Sequence, residues 1–141
     1  MAWLLDTNIL SEIRRVKPEP KVLQFITGTQ LSELYISVVT LSELRFGIEL
    51  LDVENPRRAD LENWLMHTIR PMFDQRVLPV TEDGMFHWRM LLEEGRKTGY
   101  TFSQPDLIIA ATAFEYGHTV VTRNRRDFDK AGVSVFNPWE Q

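Results

Sequence analysis

The sequence has no cysteine. That excludes a disulfide framework and any zinc site built on thiolates, and it accords with a reducing compartment. It also lacks an apolar run near the ~20 residues that a membrane span requires. Its first residues, Met1 to Asp6, have neither the basic segment nor the long apolar core of a secretory leader. The expectation is a soluble cytoplasmic protein with no membrane partner. No Gly-x-Gly-x-x-Gly and no Walker sequence occurs, which sets aside dinucleotide and P-loop chemistry. His67, His87 and His118 lie on different segments without ligand spacing and read as structural. Positive charge is not in excess: 16 Lys and Arg stand against 20 Asp and Glu, for a net charge of −4. This argues against gripping nucleic acid by bulk electrostatics. It leaves room for an enzyme that holds nucleic acid through metal ions and a few arginines, and it suits a basic protein partner.

What is present is the composition of an ordinary globular domain, 43% hydrophobic and 26% charged over 141 residues. That length fits one domain, residues 1–141, without internal repeat or linker. The order of signals alternates strands with helices. Trp3-Leu4-Leu5 reads as a short buried strand ending at Asp6, with Thr7 as the cap of a helix carrying Ile9, Leu10, Ile13 and Val16 and ended by Pro18. Pro20 opens another helix. Leu34 to Val39 reads as a second strand, followed by Thr40 as a cap and by Leu41, Leu44, Ile48 and Leu51 at helical spacing. A fourth helical pattern from Leu61 to Phe73 contains Pro71, which kinks or ends it. Arg76 to Val80 reads as a third strand whose proline suggests an edge. Helices from about Glu82 to Lys97 and from Pro105 to Gly117 precede a fourth strand, Thr119 to Thr122, and a fifth, Val133 to Phe136. The fold class expected is α/β: a three-layer α/β/α domain with a mainly parallel sheet of about five strands. In such sheets the ligand crevice lies at the carboxyl ends of the strands.

Polar residues collect at that predicted edge. Asp6 follows the first strand, Glu43 lies one helical turn after the second, Asn124 follows the fourth, and Asp106 sits in the first turn of the helix before the fourth. Each has a local explanation. Asp6 serves as a cap or turn residue, Thr40 and Glu43 form a capping box, Asp106 is favoured by the helix dipole, and Asn124 sits in a turn. Capping explains one residue at a time; it does not explain three acids at one sheet edge. Carboxylates placed together repel, and a hard divalent cation relieves that repulsion. Mg²⁺ or Mn²⁺ suits oxygen donors, polarises a phosphoryl oxygen, activates a water and stabilises the leaving oxygen. Hydrolysis of a phosphodiester is the reaction this set suits best. Arg123, Arg125 and Arg126 surround Asn124 and offer contacts to RNA phosphates; a solvated turn is the equal alternative. Trp64 and Trp88, at helical positions, read as core or interface.

With these residues identified, the sequence resembles the PIN-domain ribonucleases of the VapC toxin family, in the branch similar to FitB. The matching stretches are Leu5-Asp6-Thr7-Asn8 with Ser11-Glu12, Ser37 to Gly47, Pro105 to Ala113, Val121 to Phe128, and Val135 to Trp139. The resemblance implies a Mg²⁺- or Mn²⁺-dependent endoribonuclease, the toxin of a type II toxin–antitoxin pair. It implies inhibition by a VapB-like antitoxin, contact with operator DNA only through that antitoxin, and a homodimer. The family's metal-binding acids map onto Asp6, Glu43 and Asp106. Its fourth acidic position maps onto Asn124, with Asp127 three residues later as the substitute acid. Thr122, Arg123, Arg125 and Arg126 would meet substrate. Two rival readings stand beside this one. A phosphatase with Asp6 as nucleophile would need a second aspartate where Asn8 stands. A catalytically inactive PIN-fold module partnering a DNA-binding repressor would not need its acids intact.

Overall fold

The computed structural model describes residues 1–140. Adjacent residues of its first strand serve opposite sides of a sheet. Leu4 is buried with Ile109, Ala110, Ala113, Val120 and Phe128, while Leu5 is buried with Ile9, Leu10, Val22, Leu34, Ile36 and Val121. This is the two-residue period of a strand covered on both faces. The strand is β1 (Trp3–Leu5), and β2 (Leu34–Ser37), β3 (Val77–Leu78), β4 (Thr119–Val121) and β5 (Val135–Phe136) complete a five-stranded sheet of order β3-β2-β1-β4-β5. Every pairing is parallel, with Trp3 opposite both Leu34 and Thr119, and Val120 opposite Val135. The helices are α1 (Thr7–Ile13), α2 (Pro20–Thr27), α3 (Val38–Glu49), α4 (Pro56–Trp64), α5 (Arg70–Met72), α6 (Glu82–Thr98), α7 (Gln104–Tyr116) and α8 (Arg125–Ala131). The expected α/β class, the parallel sheet and the edge position of β3 are all present. Among the described residues no helix is long and apolar enough to cross a membrane.

The chain starts in the central strand, winds outward to β2 and β3, then crosses back to β4 on the other side of β1. The direction of winding therefore reverses at β1 and β4. Such a reversal opens a crevice at the carboxyl ends of the strands, and Asp6 and Thr122 follow those two ends.

The helix starts differ from the sequence reading, and the differences matter for the site. Asp6, not Thr7, caps α1, its carboxylate accepting the Thr7 amide at 2.8 Å. The second strand stops at Ser37, whose hydroxyl accepts the Val39 amide at 3.0 Å and caps α3. Thr40 is thus a buried interior residue of α3 whose hydroxyl has no partner in the protein. The Thr40–Glu43 capping box does not form, and Glu43 is free for another role. β-Branched Val38 and Val39 suggested strand, but a serine hydroxyl at the end of the paired segment starts the helix earlier. At Pro71 the chain neither breaks nor continues regularly: residues Leu65–Ile69 widen into a π turn before α5, as a residue without an amide donor encourages. The third and fifth strands are shorter than expected, because pairing ends at Leu78 before Pro79 and begins only at Val135. Gly95 in α6 lies where the next segment doubles back. A Cβ there would stand 2.8 Å from the Tyr100 carbonyl oxygen and 2.9 Å from the Phe102 ring.

Candidate active site

Asp6 is 4% exposed and its carboxylate is held from several sides. One oxygen accepts the Thr7 amide; the other accepts the Thr122 hydroxyl at 2.8 Å and the Asn8 side-chain amide at 3.4 Å. Thr122 follows β4, so this bond fastens the ends of the two central strands across the switch point. Burial raises the Asp6 pKa, and the bonds from Thr122 and Thr7 oppose that rise without cancelling it. Glu43, in the second turn of α3, accepts the Thr7 hydroxyl at 2.8 Å. Its pKa is raised by burial, against the Thr7 bond, and further by the charge of Asp6. Asp106, in the first turn of α7, is pushed up to about 7 by burial and then by the charges of Asp6, Asp127 and Glu43. Three acids from three elements therefore lie within electrostatic reach of one another, and they share one space. That space is an open crevice of about 530 Å³ lined by all three, and by Asn8, Arg123 and Asn124 among others.

The structure sorts the remaining sequence candidates. Asn124 borders the crevice; its backbone amide donates to the Thr122 hydroxyl at 3.0 Å, and its side chain caps nothing although it precedes α8. Thr122, expected to meet substrate, is fully buried, with its hydroxyl donated to Asp6, so in this structure it orients a carboxylate. Of the three arginines only Arg123 lines the crevice. Arg125 pairs with Asp129 at 3.2 Å, and the Arg126 guanidinium lies 5.3 Å from the Tyr100 ring centre. Asp127 accepts the Tyr100 hydroxyl at 2.5 Å and the Ser103 amide at 2.8 Å, so both its oxygens are engaged outside the crevice. Its charge still reaches Asp106.

Several lining residues had no assigned role in the sequence reading. Thr7 reads there as a cap, yet its hydroxyl positions Glu43. Asn8 links Asp6 to Thr122, donating to the Thr122 hydroxyl at 3.2 Å. Glu12, Arg15 and Trp139 also border the crevice. The Ser11-Glu12 and Asn137-Pro138-Trp139 stretches are visible as motifs, but nothing local tells that α1 and the carboxyl-terminal turn meet at one rim. A second, adjoining groove of about 520 Å³ is more apolar, with Leu44, Ile48, Leu61 and Trp64 along it, and shares Thr7, Ser11, Arg15 and Glu43 with the crevice.

The donor set is all oxygen, and its charges are mutually destabilising. That fits a hard divalent cation and does not fit zinc held by nitrogen or sulfur. Among the described residues, no three His, Asp or Glu side chains stand close enough to encircle an ion by themselves. An ion that keeps several of its own waters suits this spacing, as Mg²⁺ does.

Comparison with known proteins agrees with this geometry. The PIN domain family matches residues 3–133. The VapC ribonuclease Y4jK of Sinorhizobium fredii is 35% identical over 97% of this chain and 97% of its own length. Toxin FitB of Neisseria gonorrhoeae is 35% identical over 96% of this chain and 97% of its own. The solved structure of FitAB bound to an IR36 DNA fragment superimposes with a TM-score of 0.88 at 34% identity, covering 97% of this chain and 95% of that one. The chain therefore belongs to the PIN-domain family, in the group of the VapC and FitB toxins.

Proposed function

We propose that the chain is a divalent-metal-dependent endoribonuclease and the toxin of a type II toxin–antitoxin pair. The observation that carries this reading is the convergence of Asp6, Glu43 and Asp106 on one open crevice, with Asp106 raised to about 7 first by burial and then by the charges around it. Mg²⁺ or Mn²⁺ would neutralise that charge and supply electrophilic activation of the scissile phosphate and the attacking water. Asp6 and Asp106 would hold the ion, directly or through its waters. Glu43, fixed by the Thr7 hydroxyl, completes the shell or accepts a proton from the attacking water. Asn124 is a neutral donor at the same edge. Thr122 and Asn8 keep Asp6 in one orientation, which fixes where the ion is offered.

The apolar groove beside the crevice suits an amphipathic segment of a cognate antitoxin, in the manner of helix-in-groove recognition. Arg or Lys at the end of that segment would meet the crevice carboxylates and silence the enzyme. FitAB, whose solved complex holds DNA, supports an arrangement in which the partner carries the DNA contacts and this acidic chain reaches operator DNA only through it. The cytoplasm is where RNA and such a partner meet. A symmetric homodimer is proposed as well. Trp64 and Trp88 are partly buried against the chain's own cores; Phe86, Met90 and Phe114, each at least 60% exposed and lining one groove, are among the exposed apolar residues that would serve that contact. Light scattering at micromolar concentration should give twice the monomer mass; the mass of 16.5 kDa would contradict it.

The test of function is induced expression in cells followed by sequencing of RNA ends. New ends at defined sites are expected from the wild type and none from Asp6→Ala. Equal RNA profiles for the two proteins would refute the reading.

A further inference from the structure

Besides the apolar groove, a second cavity adjoins the acidic crevice, with a volume of about 430 Å³. The two share Glu12, Arg15, Arg123 and Trp139, and the second adds Lys17 and Glu19. On a chain of net charge −4, three cations here surround one tryptophan. The Arg123 guanidinium carbon lies 5.2 Å from the Trp139 ring centre. Neither partner is loosely placed. Asn137 is 6% exposed, and its side chain donates to the Arg123 carbonyl at 3.4 Å and accepts the Trp139 amide at 2.9 Å. From the other side, the Arg123 amide donates to the Asn8 side-chain oxygen at 3.4 Å. The same Asn8 touches Asp6, so the cation–aromatic pair is tied to the catalytic edge. The carboxylates of this cavity are engaged within the protein. Glu12, 6% exposed, accepts the Glu19 amide at 2.9 Å and Arg15 at 3.4 Å, and Glu19 accepts the Lys21 amide at 3.5 Å.

We propose that this second cavity is an RNA subsite, in which the Arg123–Trp139 pair stacks the unpaired base of a nucleotide flanking the cleaved phosphodiester, while Arg15 and Lys17 meet its phosphate. The proposal rests on the ribonuclease reading given above. Flat guanidinium and indole faces stack any base, and such platforms paired with cations are how single strands are held without sequence readout. The position explains why a tryptophan and an arginine are fastened together by a buried asparagine at the rim of an otherwise acidic crevice. Trp139 also packs one side against the core, which leaves Arg123, exposed and stacked on it, as the member of the pair turned to solvent.

The test uses the full chain carrying Asp106→Asn in Mg²⁺, so that RNA is bound but not cut. The probe is a dye-labelled, random-sequence single-stranded RNA of roughly 12 nucleotides, a length that one such groove covers. Arg123→Gln, an exposed change, should weaken binding about tenfold, within the range measured for loss of one stacking platform. It should also reduce the salt dependence of binding. RNA should quench tryptophan fluorescence in the parent and much less in Trp139→Phe, a readout that a merely structural role for Trp139 would not move. Wild-type cleavage of the same RNA is measured alongside. No cleavage removes the ribonuclease reading, and the subsite with it. Cleavage by the wild type, with affinity and quenching unchanged in both variants, removes the subsite alone. Unchanged RNA binding with loss of a co-expressed protein partner would assign the cavity to that partner and also overturn the proposal.

Discussion

Asp106→Asn should make the metal-free protein more stable and the metal-loaded protein inactive. In the folded chain the Asp106 pKa rises from 3.8 to about 7. The folded state therefore retains a proton that the unfolded state has already released across that interval. Stability is fully present below the unfolded value and is lost as pH rises through the folded one. At 1.36 kcal/mol per pH unit the shift sets an upper bound of about 4 kcal/mol. Asp106 is only partly buried, so solvent screening reduces the figure to roughly 1–2 kcal/mol. The asparagine has the same shape and no charge, and it escapes this cost. Above about pH 7.5 in EDTA the variant should melt about 5 °C higher than the wild type, and the two should coincide below about pH 4. Excess Mg²⁺ should close or reverse the gap, because the wild type gains ligand stabilisation that the variant has lost. Thermal melts monitored by circular dichroism, with and without Mg²⁺ across this pH range, measure all of it. A variant that is less stable than the wild type at high pH without metal would refute the argument that burial and the neighbouring carboxylates penalise ionised Asp106.

Three further outcomes follow from particular contacts. Thr122→Val removes the hydroxyl that Asp6 accepts at 2.8 Å; chemical denaturation should show a loss of about 1.5–3 kcal/mol near neutral pH. Because that bond favours ionised Asp6, the loss should shrink in acid, and metal affinity measured by calorimetry should fall. Gly95→Ala places a methyl 2.8 Å from the Tyr100 carbonyl oxygen, and denaturation should show a cost of about 1–3 kcal/mol with RNA cleavage by the remaining folded protein unchanged. Loss of metal to EDTA should abolish RNA cleavage at neutral pH, and added Mn²⁺ or Mg²⁺ should restore it in a gel assay.

Much of this architecture is legible in the sequence because periodicity survives in single segments. Trp3-Leu4-Leu5, Thr119-Val120-Val121 and the helical stripe of α3 each announce their element, Pro105 and Gly117 bracket α7, and alternation of strands with helices gives the parallel sheet. Two of the acids are legible for a related reason: Asp6 ends a strand and Asp106 opens a helix, whereas Glu43 lies a turn inside α3. The errors lie where one residue type satisfies two local rules. Val38 and Val39 favour strand, yet the Ser37 hydroxyl starts α3 there and leaves Thr40 buried inside the helix. Thr122 looks like a loop residue able to meet substrate, yet its hydroxyl is donated to Asp6 across the sheet. Asp127 looks like a spare acid, yet Tyr100 and Ser103 occupy it from a distant segment. The last two roles depend on contacts between residues 24 to 116 positions apart, which no local pattern encodes. The rim of Arg123, Asn137 and Trp139 is of the same kind.

The central claim is that Asp6, Glu43 and Asp106 form one metal-dependent site for RNA hydrolysis. The most direct measurement is cleavage of total cellular RNA by the purified chain, stripped of metal and then titrated with Mn²⁺, for wild type and for Asp6→Ala. The account predicts no cleavage without metal, cleavage that saturates with Mn²⁺ in the wild type, and none at any Mn²⁺ concentration in the variant, whose far-ultraviolet dichroism stays that of the wild type. Cleavage that persists in the folded Asp6→Ala protein, or a wild type that remains silent at saturating metal, would contradict it.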